Sequence, residues 1–346
     1  MNLALEQVPR CLICGAEGLW LHRDLRDPRY DAPGRYHVRT CPRCALAWLD
    51  PRPTPASLPL CYKGYYTHLP PSAGTEGPAR RRLGDLRDCI RMAILCGHFG
   101  YRGVHGNHGL CRLGDLMGRV RFLRHRAAFD DLAERFPRFA DGPDHLLIDV
   151  GCGRGDFLAR MKTLGWNVLG IEPDPVSSEI ARARGIPVFN GTLGAARLDG
   201  DTADEISMNH VLEHVYDPAG LLTECWRVLR PAGRLALYMP NIAGLGHRVF
   251  GRHWGHLDPP RYLFHFSPRS IDALLRQSSF RDYRIRTVAK ISAGIYDASV
   301  ALRDDGLRGS AEARRRRGRG LFRAMERFLC AAGFSVGEEI EVVAFK

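Results

Sequence analysis

Apolar positions in the second half of the chain switch repeatedly between a strand-like run and a helical period. Leu146 to Val150 is an apolar run broken only by Asp149, short enough for a buried strand, and it enters Gly151-Cys152-Gly153-Arg154-Gly155. Phe157, Leu158, Met161 and Leu164 follow at helical spacing, and Gly165 stops them. Trp166 to Ile171 reads as a second strand ending in Glu172, and Val176, Ile180 and Ala183 mark one face of a helix over Pro175 to Gly185. Pro187 to Phe189 is the third strand and Glu205 to Asn209 the fourth. Leu221, Leu222, Cys225, Val228 and Leu229 mark a helix that Pro231-Ala232-Gly233 ends, and Arg234 to Asn241 is the fifth strand. Ser267-Pro268 is an N-cap and first-turn pair for a helix carrying Ile271, Leu274 and Leu275. Strands alternating with helices predict βαβ units, hence a doubly wound, mainly parallel sheet covered on both faces.

The glycine turn is the first chemical signal. A Cβ at these positions would obstruct a tight turn or a close ligand approach at the carboxyl end of the sheet. Glu172 lies 21 positions past Gly151, where a carboxylate can take both hydroxyls of a ribose. A dinucleotide fingerprint needs its third glycine at position 156, which is Asp156. The spacing G-x-G-x-G suits a nucleoside ligand without pyrophosphate and disfavours an NAD-dependent oxidoreductase.

At these residues the chain resembles the class I S-adenosylmethionine-dependent methyltransferases, with a Rossmann-like seven-stranded sheet, over about residues 142–346. Asp149 to Gly155 looks like their first motif and Glu172 like the acid ending their second strand. The resemblance implies S-adenosyl-L-methionine as cofactor, held by Asp149, Gly151, Cys152, Gly153, Gly155, Glu172, Thr192 and Asn209. His210 to Pro218, Pro231 to Asn241 and Asp258 to Pro268 are similar to a bacterial subgroup found with surface-polysaccharide and sugar pathways. That narrower likeness implies a sugar or related small metabolite as acceptor.

Cys11-Leu-Ile-Cys14 and Cys41-Pro-Arg-Cys44 are two C-x-x-C knuckles separated by 26 residues. Four thiolates on two turns fit a closed tetrahedral zinc site, so a structural Zn2+ held by Cys11, Cys14, Cys41 and Cys44 is expected; redox chemistry is the competing reading. The segment resembles the amino-terminal zinc ribbon of the same subgroup, continuing through Leu46 to Pro53 and Tyr62 to Tyr66. Sugar C-methyltransferases carry a further carboxy-terminal domain for which this chain has no room, which points away from C-methylation. The expected organisation is a zinc ribbon over 1–66, a linker and basic helical segment over 67–140, and a methyltransferase domain over 141–346 with an insertion at about 295–333. Separate cores are expected for the two modules.

Composition narrows the setting. The chain has 346 residues, no signal-like apolar stretch in residues 1–10, and no apolar run near the roughly 18 residues of a membrane span, so a cytoplasmic enzyme with reduced cysteines is expected. Of the net +12, nearly all is arginine; Lys63, Lys162, Lys290 and Lys346 are the only lysines. Arg80 to Arg91 and Arg119 to Arg126 read as basic amphipathic helices, and Arg314 to Arg317 with Arg319 as a solvated loop. Attraction to phosphates, anionic membranes or RNA is the functional alternative, and an RNA methyltransferase is the rival reading. His98, His105 and His108, on a glycine-rich loop without nearby acids, read as solvated or packing side chains rather than metal ligands.

Methyl transfer to a hydroxyl is an in-line displacement that must also remove a proton, so a base titrating near neutrality is wanted. The acceptor should sit above the ends of strands four and five, where His210, Glu213, His214, Tyr238 and Asn241 fall. A loop from Trp254 to Phe266, carrying His256, Asp258, Arg261 and His265, is expected to fold over them. His214 and His265 are the leading bases, each equally readable as packing; His210 is the third, and Glu213 reads better as a holding residue.

Overall fold

The alternation of periods becomes an α/β fold in the computed structural model, which describes residues 3–62, 89–101, 108–120, 145–304 and 311–346. Five short strands come first: β1 (Leu5–Glu6), β2 (Leu19–Leu25), β3 (Tyr36–Thr40), β4 (Ala47–Leu49) and β5 (Arg52–Pro53). After α1 (His108–Arg119) come β6 (Leu146–Val150), α2 (Asp156–Thr163), β7 (Asn167–Glu172), α3 (Pro175–Ala183), β8 (Val188–Asn190) and β9 (Ala203–Asn209). The remainder is α4 (Pro218–Val228), β10 (Leu229–Pro240), α5 (Leu245–Phe250), β11 (Phe264–His265), α6 (Pro268–Gln277), β12 (Asp282–Val288), α7 (Ser292–Arg303), α8 (Ala311–Ala331) and β13 (Glu339–Phe345). Seven strands form one sheet in the order β12-β13-β10-β9-β6-β7-β8, with β6, β7 and β8 parallel and β13 antiparallel to β10 and β12. This is the Rossmann-like, mainly parallel sheet that the sequence predicts.

Local chemistry sets the helix starts. Asp174, Asp217 and Ser267 cap α3, α4 and α6, each accepting a backbone N–H from the first turn and each followed by proline. Such caps contribute about 1 kcal/mol each and fix the register of the helix. Helix α4 ends at Val228, before Pro231, and the chain is already extended at Leu229, so β10 begins five residues earlier than Arg234.

The chain divides into two compact units, residues 67–207 and residues 1–66 together with 208–346. In the first, Leu147, Phe157, Leu158, Met161, Trp166, Val168 and Ile186 form a core that also takes in Ile94, Leu95, Phe99 and Tyr101. Here the glycine-rich stretch departs from its expected loop form. A Cβ on Gly97 would lie 1.9 Å from the Cys111 carbonyl oxygen, and one on Gly114 would lie 1.7 Å from that of Ala93. These glycines let α1 press against helical residues 90–97, and Cys96 and Cys111 are joined by a disulfide there, contrary to the expectation of reduced cysteines throughout. His98 packs edge-on to Phe99 at 5.1 Å. The linker, His105, Arg80 to Arg87 and Arg121 to Arg126 lie outside the described residues, and so does the side chain of His108.

In the second unit described residues of the 1–66 segment share a core with residues beyond 208, where a separate core was expected. Strand β4 pairs with β11, matching Phe264 to Trp48, so a four-stranded sheet β11-β4-β3-β2 spans both stretches of sequence. Leu25, Tyr36, Val38 and Leu49 share one core with Ile242, Phe250, Trp254, Leu257, Val300 and Phe322. The loop between α5 and α6 is therefore interior, with every residue from Trp254 to Ser267 buried. At its centre Arg261, fully buried, donates to both carboxylate oxygens of Asp27 at 2.7 and 2.9 Å and to both of Asp258 at 2.9 and 2.8 Å. Its plane also lies over the Tyr30 ring at 4.6 Å.

Arg261→Ala leaves two buried carboxylates without their cation, so we expect a loss of about 3–5 kcal/mol in chemical denaturation. A loss below about 1 kcal/mol, the size of a surface pair, would contradict this role.

Candidate active site

The glycine turn after β6 has the backbone that its sequence requires. Gly151, Gly153 and Gly155 take φ of +69°, +53° and +77°, the left-handed region open to glycine, and Gly155 ends the turn at the start of α2. Asp156 then stands in the first helical turn, ion-paired with Arg154 and Arg184 at 2.7 Å each, instead of supplying a third-glycine approach. A Cβ on Gly170 of β7 would lie 2.5 Å from the Cys152 sulfur, so the strand and the turn are in close contact.

Glu172 closes this turn. Its carboxylate accepts the Gly153 N–H at 2.8 Å and the Asp174 N–H at 2.9 Å. Burial raises its pKa against the pull of those two donors. Each oxygen keeps a further lone pair, so the carboxylate can still take two hydroxyl donors. Asp149, also buried, accepts from the Ser207 hydroxyl, which positions it under the turn. Cys152 is buried and its thiol is pushed up by burial, so its contribution to the turn is backbone and bulk. Thr192 is exposed and its hydroxyl accepts the Ala195 N–H at 3.3 Å, a local cap. Asn209 is exposed at the end of β9.

The histidines separate into distinct electrostatic classes. His210, at φ +56°, is held between Glu213 at 3.1 Å and Glu339 at 3.0 Å. Burial opposes the imidazolium, but the two carboxylates outweigh it and raise the pKa to about 10. A ring held as a cation at neutral pH by two carboxylates is poorly placed to accept a proton, which favours a holding role for His210 over that of base. His265 lies in β11 with both ring nitrogens buried and no hydrogen-bond partner among the described residues, and burial drives its pKa down to about 3. That environment marks a packing side chain.

His214 is different. Its Nδ1 faces the Arg261 carbonyl at 3.0 Å and the Tyr62 hydroxyl at 2.7 Å, while its ring meets Tyr262 edge-on at 4.7 Å. Burial lowers its pKa and keeps it neutral. A proton on Nδ1, donated to the carbonyl, leaves the lone pair on Nε2.

The buried loop does fold against this group, as expected from the sequence. Leu263 and Phe264 donate backbone N–H to the Glu213 carbonyl at 2.8 and 3.1 Å, and His256 stacks on His210 at 5.7 Å. Its polar residues are otherwise committed. Asp258 is spent on Arg261, burial holds His256 neutral, and Asn241 is bound by its amide to the Gly337 carbonyl at 2.8 Å. Tyr238 is buried with the Lys290 ammonium 5.0 Å from its ring centre. Glu339, Glu338 and Tyr62 were not singled out from the sequence. Glu338, buried beneath Gly246 and the Trp254 indole at 2.8 Å, has its carboxyl raised to about 7 by burial. The signal for the two glutamates was the acids at 338, 339 and 341 at the start of an otherwise apolar last strand.

In the amino-terminal segment the four sulfurs of Cys11, Cys14, Cys41 and Cys44 lie within 4.8 Å of one another. The two knuckles are built alike. Gly15 and Ala45 donate to the Cys11 and Cys41 carbonyls at 2.9 and 3.0 Å, each from a left-handed residue directly after the second cysteine. Helix α6 braces both turns. The Ser267 hydroxyl donates to the Ala45 carbonyl at 3.1 Å, and the Gln277 amide to that of Ile13 at 3.0 Å.

Part of the chain is similar to known proteins. Residues 121–284 match Methyltransf_23, a methyltransferase domain. A protein of Mycolicibacterium smegmatis named a probable S-adenosylmethionine-dependent methyltransferase is 30% identical over 122 residues, 35% of this chain and 45% of its own length. A ubiquinone biosynthesis O-methyltransferase of Methylocella silvestris is 32% identical over 125 residues, 33% of this chain and 49% of its own. The matched region is thus about half the length of these curated relatives. A crystal structure of a SAM-dependent methyltransferase from Archaeoglobus fulgidus is 18% identical, with a TM-score of 0.40, covering 58% of this chain and 86% of that one.

The His210 cation gives a direct test by nitrogen NMR. The ring should keep both protons through pH 8, and its pairs should stabilise the fold fully below about pH 6.5, the unperturbed value, with that contribution lost as the pH rises through about 10. A midpoint near 6.5 in the folded protein would return His210 to the list of bases.

Proposed function

We propose that the chain transfers a methyl group from S-adenosyl-L-methionine to a hydroxyl of a small acceptor, a sugar or glycan precursor. The observation that carries the reading is Glu172, a buried carboxylate fastened to the left-handed glycine turn and retaining lone pairs for two hydroxyls. The site fits the cofactor: the three left-handed glycines keep the turn bare of side chains, and Glu172 supplies the ribose acceptor. When bound, the cofactor supplies an electrophilic methyl carbon on a sulfonium. Asp149, Gly151, Cys152, Gly153, Gly155 and Glu172 then hold it, with Thr192, exposed in the loop after β8, and Asn209, exposed at the end of β9.

The base in this reading is His214. Tyr62 and the Arg261 carbonyl fix the ring through Nδ1, which leaves the Nε2 lone pair for a hydroxyl proton. The neutral imidazole takes the hydroxyl proton as the methyl arrives, and the His210 cation beside Glu213 and Glu339 fixes the neighbouring turn. The sugar acceptor draws its support from the resemblance of residues 210–218, 231–241 and 258–268 to the polysaccharide-associated subgroup.

In the amino-terminal segment the all-sulfur donor set and its compact spacing fit zinc, in a closed structural site without an open position for chemistry. Metal analysis of protein purified under reducing conditions should find one zinc per chain; metal-free folded protein would remove the ribbon reading.

Glu172→Ala should weaken S-adenosylmethionine binding in calorimetry by about 2–4 kcal/mol, the value of two charge-assisted hydrogen bonds. Unchanged affinity, or preference for NAD, would sink the cofactor assignment. His214→Ala should lower turnover about 10²–10⁴-fold with cofactor affinity nearly intact. Wild-type turnover in a folded variant would mean that another group, or none, takes the proton.

A further inference from the structure

Helix α8 lies between β12 and β13, and its two faces have opposite characters. The inner face is packed: Phe322 meets Phe250 and Tyr296 at 6.2 and 5.4 Å, and Glu326, fully buried, accepts the Glu338 backbone N–H at 2.7 Å. The outer face exposes Leu321 at 72%, Met325 at 41% and Phe328 at 72%. At about 100° per residue these three fall in an arc of about 60°, and exposed Ala324 and Ala331 widen it to about 120°. Phe334, 58% exposed, continues the stripe past the helix end. Gly333 at φ +90° and the bonds Gly333 N–H to Cys330 O and Phe334 N–H to Leu329 O stop the helix there.

Arginine flanks the stripe. At the same spacing Arg327 and Arg323, both exposed, fall about 40° and 80° beyond the Ala331 edge of that arc, Arg319 is paired with Asp297 at 2.9 Å, and the sequence of the helix also holds Arg314 to Arg317. Against these seven arginines stand Glu312 and Glu326 alone, and Glu326 faces inward. We propose that α8 and Phe334 dock on an anionic phospholipid bilayer, the apolar stripe entering the headgroup boundary and the arginines lying on lipid phosphates.

Charge and shape together select this occupant. A soluble polyanion would match the arginines but leave Leu321, Phe328 and Phe334 in water. A second copy of the chain would bring two strongly cationic helices face to face. An anionic bilayer supplies apolar depth and negative charge in one surface, which is the environment a basic amphipathic helix takes. No helix among the described residues is long and apolar enough to cross a membrane, so the contact is peripheral. The proposal rests on α8 and Phe334 and holds whichever acceptor is methylated.

Vesicle sedimentation of the full chain tests it. Binding should appear with vesicles of phosphatidylcholine mixed with phosphatidylglycerol, be absent with phosphatidylcholine alone, and weaken as salt rises. The double variant Leu321→Ser, Phe328→Ser should lower binding by about tenfold or more. Arg323→Glu with Arg327→Glu should lower it at least about fivefold per arginine. Both variants should melt at the wild-type temperature, since the substituted side chains face water. Absence of binding to the anionic vesicles, or binding unchanged in both variants, would overturn the proposal. So would an early melt of the serine variant, which would show the stripe to be packed. A wild-type dimer that this variant dissociates, without vesicle binding, would give the stripe to a second copy.

Discussion

A guanidinium taken out of water must be paired on every side, and Arg261 is the point at which this chain meets that demand. Two carboxylates, Asp27 from the amino-terminal segment and Asp258 from the loop after α5, each engage it through two oxygens. Burial raises the carboxyl of Asp27, yet the guanidinium and the backbone donors of Arg29 and Ala32 outweigh it and hold the group below its ordinary value. The cluster joins residues far apart in sequence, so the loop from Trp254 to Ser267 has little freedom. Its carbonyl at Arg261 then orients His214, and its next strand, β11, completes the sheet against β4. Fixing one buried charge thereby fixes the ring proposed as the base and the register of the amino-terminal sheet.

The same economy of charge sorts the remaining titratable groups. Glu339 and Glu213 hold His210 as a cation at neutral pH, while burial forces His265 neutral. Three histidines that look alike in sequence thus differ in what they can do. The deciding groups lie on elements distant in the chain: Glu339 stands 129 positions from His210, and Tyr62 152 positions from His214.

Much of the fold was legible because it is written locally. The βαβ alternation, the glycine turn, the proline-marked helix starts and the four-cysteine pair of knuckles all depend on residues within a few positions of one another. Three features were not local. The glycines at 97 and 114 signal a loop in isolation and a helix–helix contact in the fold. Residues 1–66 share a core with 208–346 because Leu25, Tyr36, Val38 and Leu49 lack sufficient apolar partners among themselves, and no periodicity reveals which distant residues complete the set. Arg261 and Asp258 read as acceptor-facing groups because a charged loop is normally solvated; here they pair with each other and with Asp27 inside the protein.

The central claim is that the cysteine cluster, α6 and the Arg261 loop form one cooperative structure with the carboxy-terminal half. Hydrogen exchange of the full chain before and after chelation of the zinc proposed at this cluster tests this most directly. The Ala45 and Ile13 carbonyls are held by Ser267 and Gln277, so losing the metal should speed exchange in 254–277 together with residues 1–66, while 146–190 stays protected. Faster exchange confined to residues 1–66 would contradict the account and restore a ribbon that folds on its own.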